Sequence, residues 1–141
     1  MDCTGLTPSL KTRGREGILQ ISPVVSIVDD DQAVRHALDS LIRSLGWQVR
    51  MYKSAEEFFS SGDAAHTACL ISDVLMPGMS GIEMYEHLRA QGHNPPTIFI
   101  TACPSSPLRA QVVSAGALVL LPKPYDTATL THWLSVALGS P

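Results

Sequence analysis

Cysteine is scarce in this sequence, and the few present have no useful spacing. Cys3, Cys69 and Cys103 form an odd set with no C-x-x-C pair. That excludes a disulfide framework and a thiolate zinc site. Cys69 lies in an apolar run and reads as a small buried hydrophobe. A reduced, cytoplasmic protein is expected. Positive charge is also short: 10 Lys and Arg face 13 Asp and Glu, a formal charge of −3. Direct nucleic-acid binding needs a basic stripe, and composition offers none. Lys11, Arg13 and Arg15 are the one basic cluster and read as part of a solvated leading segment. No run approaches the roughly 20 apolar residues that span a bilayer. GILQISPVVSIV is broken by Gln20, Ser22 and Pro23, so neither a membrane span nor a signal peptide is expected.

What is present suits one globular domain. The chain has 141 residues, 45% hydrophobic and 16% charged, enough for a single core. Residues 1–22 lack periodicity and are expected to form a flexible extension, with residues 23–141 as the domain. Val24–Val28 is a nearly continuous apolar run, the mark of a strand buried on both faces. Val34, Ala37, Leu38, Leu41, Ile42 and Leu45 recur at helical spacing, and Gly46 stops that helix. QVRMYKS alternates and predicts a strand nearer an edge. Ser54 and Glu57 fit a capping box opening a short helix. ACLISDV predicts a third strand, and Pro77, Gly78, Ser80 and Gly81 a tight loop. A helix over 82–91, a strand TIFIT, a short helix over 108–114 and a strand over 117–121 follow. Thr127 is expected to cap a last helix with Leu130, Trp133, Leu134, Ala137 and Leu138 on its core face. Strict β-α alternation, five times over, implies a parallel sheet with helices on both faces.

In such sheets, sites lie beyond the carboxyl ends of the strands. The first strand ends in Asp29, Asp30 and Asp31, the third in Asp73, the fourth in Thr101 and the fifth at Lys123 before Pro124. Taken singly each has a plain structural role: an Asp caps a helix, a Thr fills a strand, a Lys is solvated. Taken together they put carboxylates, a hydroxyl and an ammonium at corresponding strand ends. Clustered carboxylates repel unless a cation lies among them, and hard oxygen ligands suit Mg²⁺. Mg²⁺ takes only one or two carboxylates, which leaves one free as a nucleophile toward a phosphoryl group. Lys and Thr suit the remaining phosphoryl oxygens.

The motifs IVDDD, ISDVLMPGMSG, IFITA and LLPKPY resemble the receiver domain of two-component response regulators. The resemblance spans residues 23–139 and implies a flavodoxin-like, doubly wound (βα)5 sandwich with five parallel strands in order 2-1-3-4-5. It implies Asp73 as phosphoacceptor and Asp30 as a direct Mg²⁺ ligand, with Asp29 acting largely through a metal-bound water. The backbone carbonyl of Leu75 would be a further ligand. Thr101 would move toward the phosphoryl group and Lys123 would pair with it, aimed by a cis Lys123–Pro124 bond. Asp31 is left as the helix cap. Such a protein is not an enzyme in the usual sense, although receivers catalyse their own phosphorylation and slow dephosphorylation. A histidine kinase would be the donor, contacting the first helix. A target protein or a histidine phosphotransfer protein would read the last two helices and the fifth strand. A monomer or weak dimer is expected.

The chain departs from the family at particular positions. Leu120 stands at the switch position that usually holds Tyr or Phe. Pro122 before Lys123 is unusual, and Tyr125 replaces a common Phe. Leu75 and Cys103 occupy positions that tune hydrolysis, and neither readily orients water, so slow self-dephosphorylation is expected. No output domain is seen, and an end at Pro141 also fits a domain boundary in a longer regulator. Two alternatives compete. One is a phosphorylation-independent interaction module. The other is a Mg²⁺-dependent phosphohydrolase, against which Leu75 stands where a second acid would be needed.

Overall fold

A computed structural model describes residues 23–139; the expected extension 1–22 lies outside them. The chain alternates β1 (Val24–Val28), α1 (Gln32–Ser44), β2 (Gln48–Tyr52), α2 (Ala55–Ser61), a 3₁₀ turn (Asp63–His66), β3 (Thr67–Asp73), α3 (Gly81–Ala90), β4 (Thr97–Thr101), α4 (Ser106–Ser114), β5 (Val119–Pro122) and α5 (Thr127–Leu138). All four strand pairings are parallel and the order is β2-β1-β3-β4-β5. This is the expected 2-1-3-4-5 sheet. Its strand order reverses between β1 and β3, so a crevice opens above those two strands.

The alternation of side chains sets the layers. Val25 and Ile27 of β1, Cys69 and Ile71 of β3, and Ile98 and Ile100 of β4 pack with Leu38 and Ile42 of α1 and Leu130 and Leu134 of α5. The intervening residues face the other way. Val28 and Leu70 meet Phe58 of α2 and Met84 and Leu88 of α3. Phe99 and Leu120 meet Ile82 and Tyr85 of α3 and Val112 of α4. β1, β3 and β4 are thus covered on both faces, which is why they read as apolar runs. Each such side chain contributes about 1.5–3 kcal/mol on burial. Ser26 is the polar exception in β1; its Oγ lies 2.7 Å from Thr67 Oγ1. Trp133 is partly buried against the α1/α5 layer, as its spacing predicts. Among the described residues, no helix is long and apolar enough to cross a membrane.

Several boundaries differ from the sequence expectation, each for a local reason. Asp126, not Thr127, caps α5: its carboxylate accepts the Thr129 N–H at 2.9 Å and hydroxyl at 2.7 Å. Ser54 caps α2, but the Glu57 carboxylate takes the N–H of Lys53 instead of Ser54. α4 starts at Ser106, because Ser105 caps it and Pro107 sits in the first turn, where its missing N–H costs nothing. β5 starts at Val119 because the Ala117 N–H is taken by the Val112 carbonyl at the end of α4. The 3₁₀ turn was not expected at all. Tyr52 and Arg50 of β2 both donate to Asp63 at its start, at 2.5 and 2.9 Å.

Gly81 has a specific duty. A Cβ there would lie 2.1 Å from the Asp73 carbonyl oxygen and 2.9 Å from Ser72 Oγ. Only glycine lets α3 start this close to the end of β3. Gly81→Ala is expected to cost about 2 kcal/mol, as overpacking does. The check is urea unfolding: a lower midpoint at constant slope.

Candidate functional site

β1 and β3 are neighbours, with Val28 paired to Ser72, so the residues that follow Val28 and end β3 meet above the sheet. Asp29, Asp30 and Asp73 each offer a carboxylate oxygen, all within 4.8 Å of one another. Asp29 is fully buried, Asp73 nearly so, and Asp30 exposed. Asp31 does not join them. Its Oδ1 accepts the N–H groups of Ala33 and Val34 at 2.9 and 3.4 Å, capping α1. The run of three aspartates is therefore split between two tasks.

Lys123 enters from the end of β5. Pro122 pairs with Thr101 on the edge strand, where its missing N–H breaks no ladder bond, and the Lys123 N–H donates to the Thr101 carbonyl at 2.8 Å. The Lys123–Pro124 peptide is cis. The ammonium donates to Asp73 Oδ2 at 3.1 Å. It also lies 2.9 Å from Asp29 Oδ2, close enough for an ion pair. The angle there does not make a hydrogen bond, and Asp29 Oδ2 has no hydrogen-bond partner among the described residues. Asp73 Oδ1 accepts the N–H of Leu75 at 3.3 Å, while the Leu75 side chain is 59% exposed at the mouth. Thr101 is fully buried, and its Oγ1 accepts the Cys103 N–H at 3.2 Å. Leu120 sits elsewhere: paired with Phe99 and fully buried against α3 and α4, it offers the site no polar group.

These contacts shift the titrating groups. Burial raises the Asp73 carboxyl above its ordinary value; the Lys123 hydrogen bond opposes this and the Asp29 charge adds to it. Burial alone would lower the Lys123 ammonium, but the adjacent Asp29 and Asp73 carboxylates hold it above its usual value. Cys69, far from this chemistry in the α1/α5 layer, is pushed up to about 12 by burial and is inert as a thiolate.

The donor set fits a hard divalent cation. It consists of clustered carboxylate oxygens, one of them buried without a hydrogen bond, at a switch point open on the Asp30 side. One contributor carried no mark in the sequence. Arg35, half-buried in the first turn of α1, donates from Nη1 to the Asp29 carbonyl at 2.7 Å. Only its place four residues after the capping Asp31 hinted at it.

A family model described as response regulator receiver domain matches residues 25–135. The chain is a response regulator receiver domain. It is 37% identical over 125 residues to the response regulator protein TmoT of Ectopseudomonas mendocina, covering 89% of this chain and 57% of that protein. It is 36% identical over 115 residues to the transcriptional regulatory protein FixJ of Azorhizobium caulinodans, covering 82% and 54%. Among solved structures, the response regulator StyR superposes with a TM-score of 0.77 at 38% identity, covering 84% of this chain and 60% of that one. FixJ-N does so at 0.74 and 31% identity, covering 84% and 94%. The receiver spans little more than half the length of the curated relatives it matches.

The raised Asp73 carboxyl has a consequence for stability. The folded receiver takes up this proton more readily than the unfolded chain. The stability that proton gives is present below the ordinary carboxylate range and is lost as pH rises through the raised value. At neutral pH the ionised Asp73 therefore destabilises the metal-free receiver. Asp73→Asn is expected to raise its melting temperature at pH 7 by about 3 °C, the shift that roughly 1 kcal/mol gives a chain of this size. The gain should shrink on acidification. Circular-dichroism melts at the two pH values, with divalent cations chelated, provide the check.

Proposed function

We propose that this receiver is phosphorylated on Asp73 by a histidine kinase, with Mg²⁺ held by Asp29, Asp30, Asp73 and the Leu75 carbonyl. The observation that carries this is the pairing of a buried, Lys123-bound Asp73 with the unsatisfied Asp29 oxygen beside it. An Asp73 carboxylate oxygen attacks phosphorus, forming an acyl–phosphate bond. The phosphorus–nitrogen bond of the donor phosphohistidine breaks, and the imidazole leaves with the electron pair. The bound metal supplies charge neutralisation for the phosphoryl group in transfer. Lys123, already beside Asp73, shifts its ammonium onto a phosphoryl oxygen as the Asp73 charge is consumed. The Thr101 hydroxyl gives up the Cys103 N–H and donates to another. That exchange couples the site to the loop between β4 and α4.

Output then follows as a population shift of the α4–β5–α5 face, read by a target protein or by a histidine phosphotransfer protein in a relay. The kinase meets the receiver on the α1 side of the pocket, and the cytoplasm is the compartment that fits. Leu75 and Cys103 flank the acceptor without a group poised to orient water, so the phosphoryl group is retained.

Intact mass after incubation with a small phosphodonor tests the proposal. One phosphoryl adduct is expected in the wild type, dependent on Mg²⁺ and absent from Asp73→Ala. Lys123→Ala should slow its formation at least about 100-fold, the order of effect of removing one preorganised electrostatic contact. No adduct in either protein would favour a phosphorylation-independent interaction module. The decay of the adduct tests the second part: Leu75→Asn should hasten it several-fold, and an unchanged decay would count against a protective role for Leu75.

A further inference from the structure

Asp29 is fastened at three points beyond its side-chain ion pair. Its N–H donates to the Tyr52 carbonyl at 3.1 Å. Its Oδ1 accepts the Asp31 N–H at 2.9 Å. Its carbonyl accepts Arg35 Nη1 at 2.7 Å. The first two need only backbone groups and the Asp29 carboxylate, so any sequence of this fold with an Asp here could make them. The third depends on one side chain. The Arg35 main chain is itself fixed, since its backbone N–H donates to the Asp31 carbonyl at 3.0 Å as α1 begins. Asp31, Arg35 and Asp29 thus close a small loop of contacts around the acidic turn.

The carbonyl held by Arg35 belongs to the peptide that joins Asp29 to Asp30. A peptide is planar, so a hydrogen bond to its oxygen restricts rotation of the plane, and with it the directions open to the next side chain. Among the described residues no hydrogen bond holds the exposed Asp30 carboxylate. Its place within 4.8 Å of the Asp29 and Asp73 carboxylates follows from the backbone. We propose that Arg35 is a positioning residue for divalent-cation binding, which sets the Asp30 carboxylate by clamping the Asp29 carbonyl. The assignment rests on Asp29, Asp30 and Asp73 being the Mg²⁺ pocket.

Two effects of Arg35 oppose each other, and their signs separate them. The clamp preorganises a ligand and strengthens metal binding; losing contacts of this kind costs about 10-fold in affinity or more. The guanidinium charge repels a second cation, but on a half-buried side chain facing water that repulsion is screened. Positioning therefore wins, and removing Arg35 weakens Mg²⁺ binding even though it removes a positive charge.

The test is a MgCl₂ titration of the full chain without phosphodonor, followed by backbone amide NMR shifts of the β1–α1 turn. Wild type, Arg35→Gln and Arg35→Lys are compared. Arg35→Gln should raise the Mg²⁺ Kd about 10-fold. Arg35→Lys, which keeps a donor able to reach the carbonyl, should recover most of the affinity. The metal-free melting temperatures of all three should agree. An equal or lower Kd for Arg35→Gln overturns the proposal. So does a fall in its metal-free melting temperature that accounts for the weaker binding and that Arg35→Lys does not restore. Failure of the wild type to saturate would instead overturn the Mg²⁺ pocket and the clamp with it. That outcome is distinct from saturation of wild type and variant alike.

Discussion

The receiver is organised around a Coulomb problem. Asp29, Asp30 and Asp73 are brought within one cation's reach, two of them out of water, where like charges repel and single ions are costly. Lys123 is the partial answer built into the chain. Its ammonium lies 2.9 Å from Asp29 and 3.1 Å from Asp73. The answer is incomplete, since one Asp29 oxygen keeps no hydrogen bond and the Asp73 carboxyl stays raised. A site left short of positive charge in this way suits a divalent cation.

Much of the surrounding structure serves to hold that arrangement. Gly81 lets α3 start against the Asp73 carbonyl. Asp31 turns the chain into α1 and keeps its own charge out of the pocket. The Lys123 N–H donates to the Thr101 carbonyl and so ties the backbone of the lysine to the end of β4. Arg35 clamps the peptide between the two loop aspartates. Each is a contact between the end of one strand and the start of another element. The pocket thus rests on a sheet whose buried residues gain about 1.5–3 kcal/mol each.

Leu120 marks a place where this receiver differs in kind from the expected pattern. Its side chain is sealed against Phe99, Tyr85 and Val112, and its carbonyl accepts Arg109 Nη1 from α4 at 2.7 Å. A buried aliphatic residue has no ring to rotate and no hydroxyl to trade partners. What joins Thr101 to α4 in this structure is the backbone of the connecting loop, which donates the Cys103 N–H to Thr101; Arg109 ties α4 to β5 at the Leu120 carbonyl. α4 is lightly anchored, with Val112 as its one fully buried residue.

The sequence by itself determined the element order, the burial of the central strands and the groups at the strand ends. Those follow from periodicity, from apolar runs and from the rule that parallel sheets present their carboxyl ends to ligands. That one of the three aspartates caps α1 is local chemistry; that it is Asp31 came with the family resemblance, because adjacent aspartates have the same capping group. What only the tertiary structure decided are the interactions that cross elements. The competition between Asp126 and Thr127 for the α5 cap was settled by backbone angles the sequence does not carry. The start of β5 was set by an α4 carbonyl. The roles of Gly81 and Arg35 arise from how closely a helix approaches a strand end. Periodicity reports which face a residue takes; distance between faces, and so which oxygen a guanidinium reaches, exists only once the layers have packed.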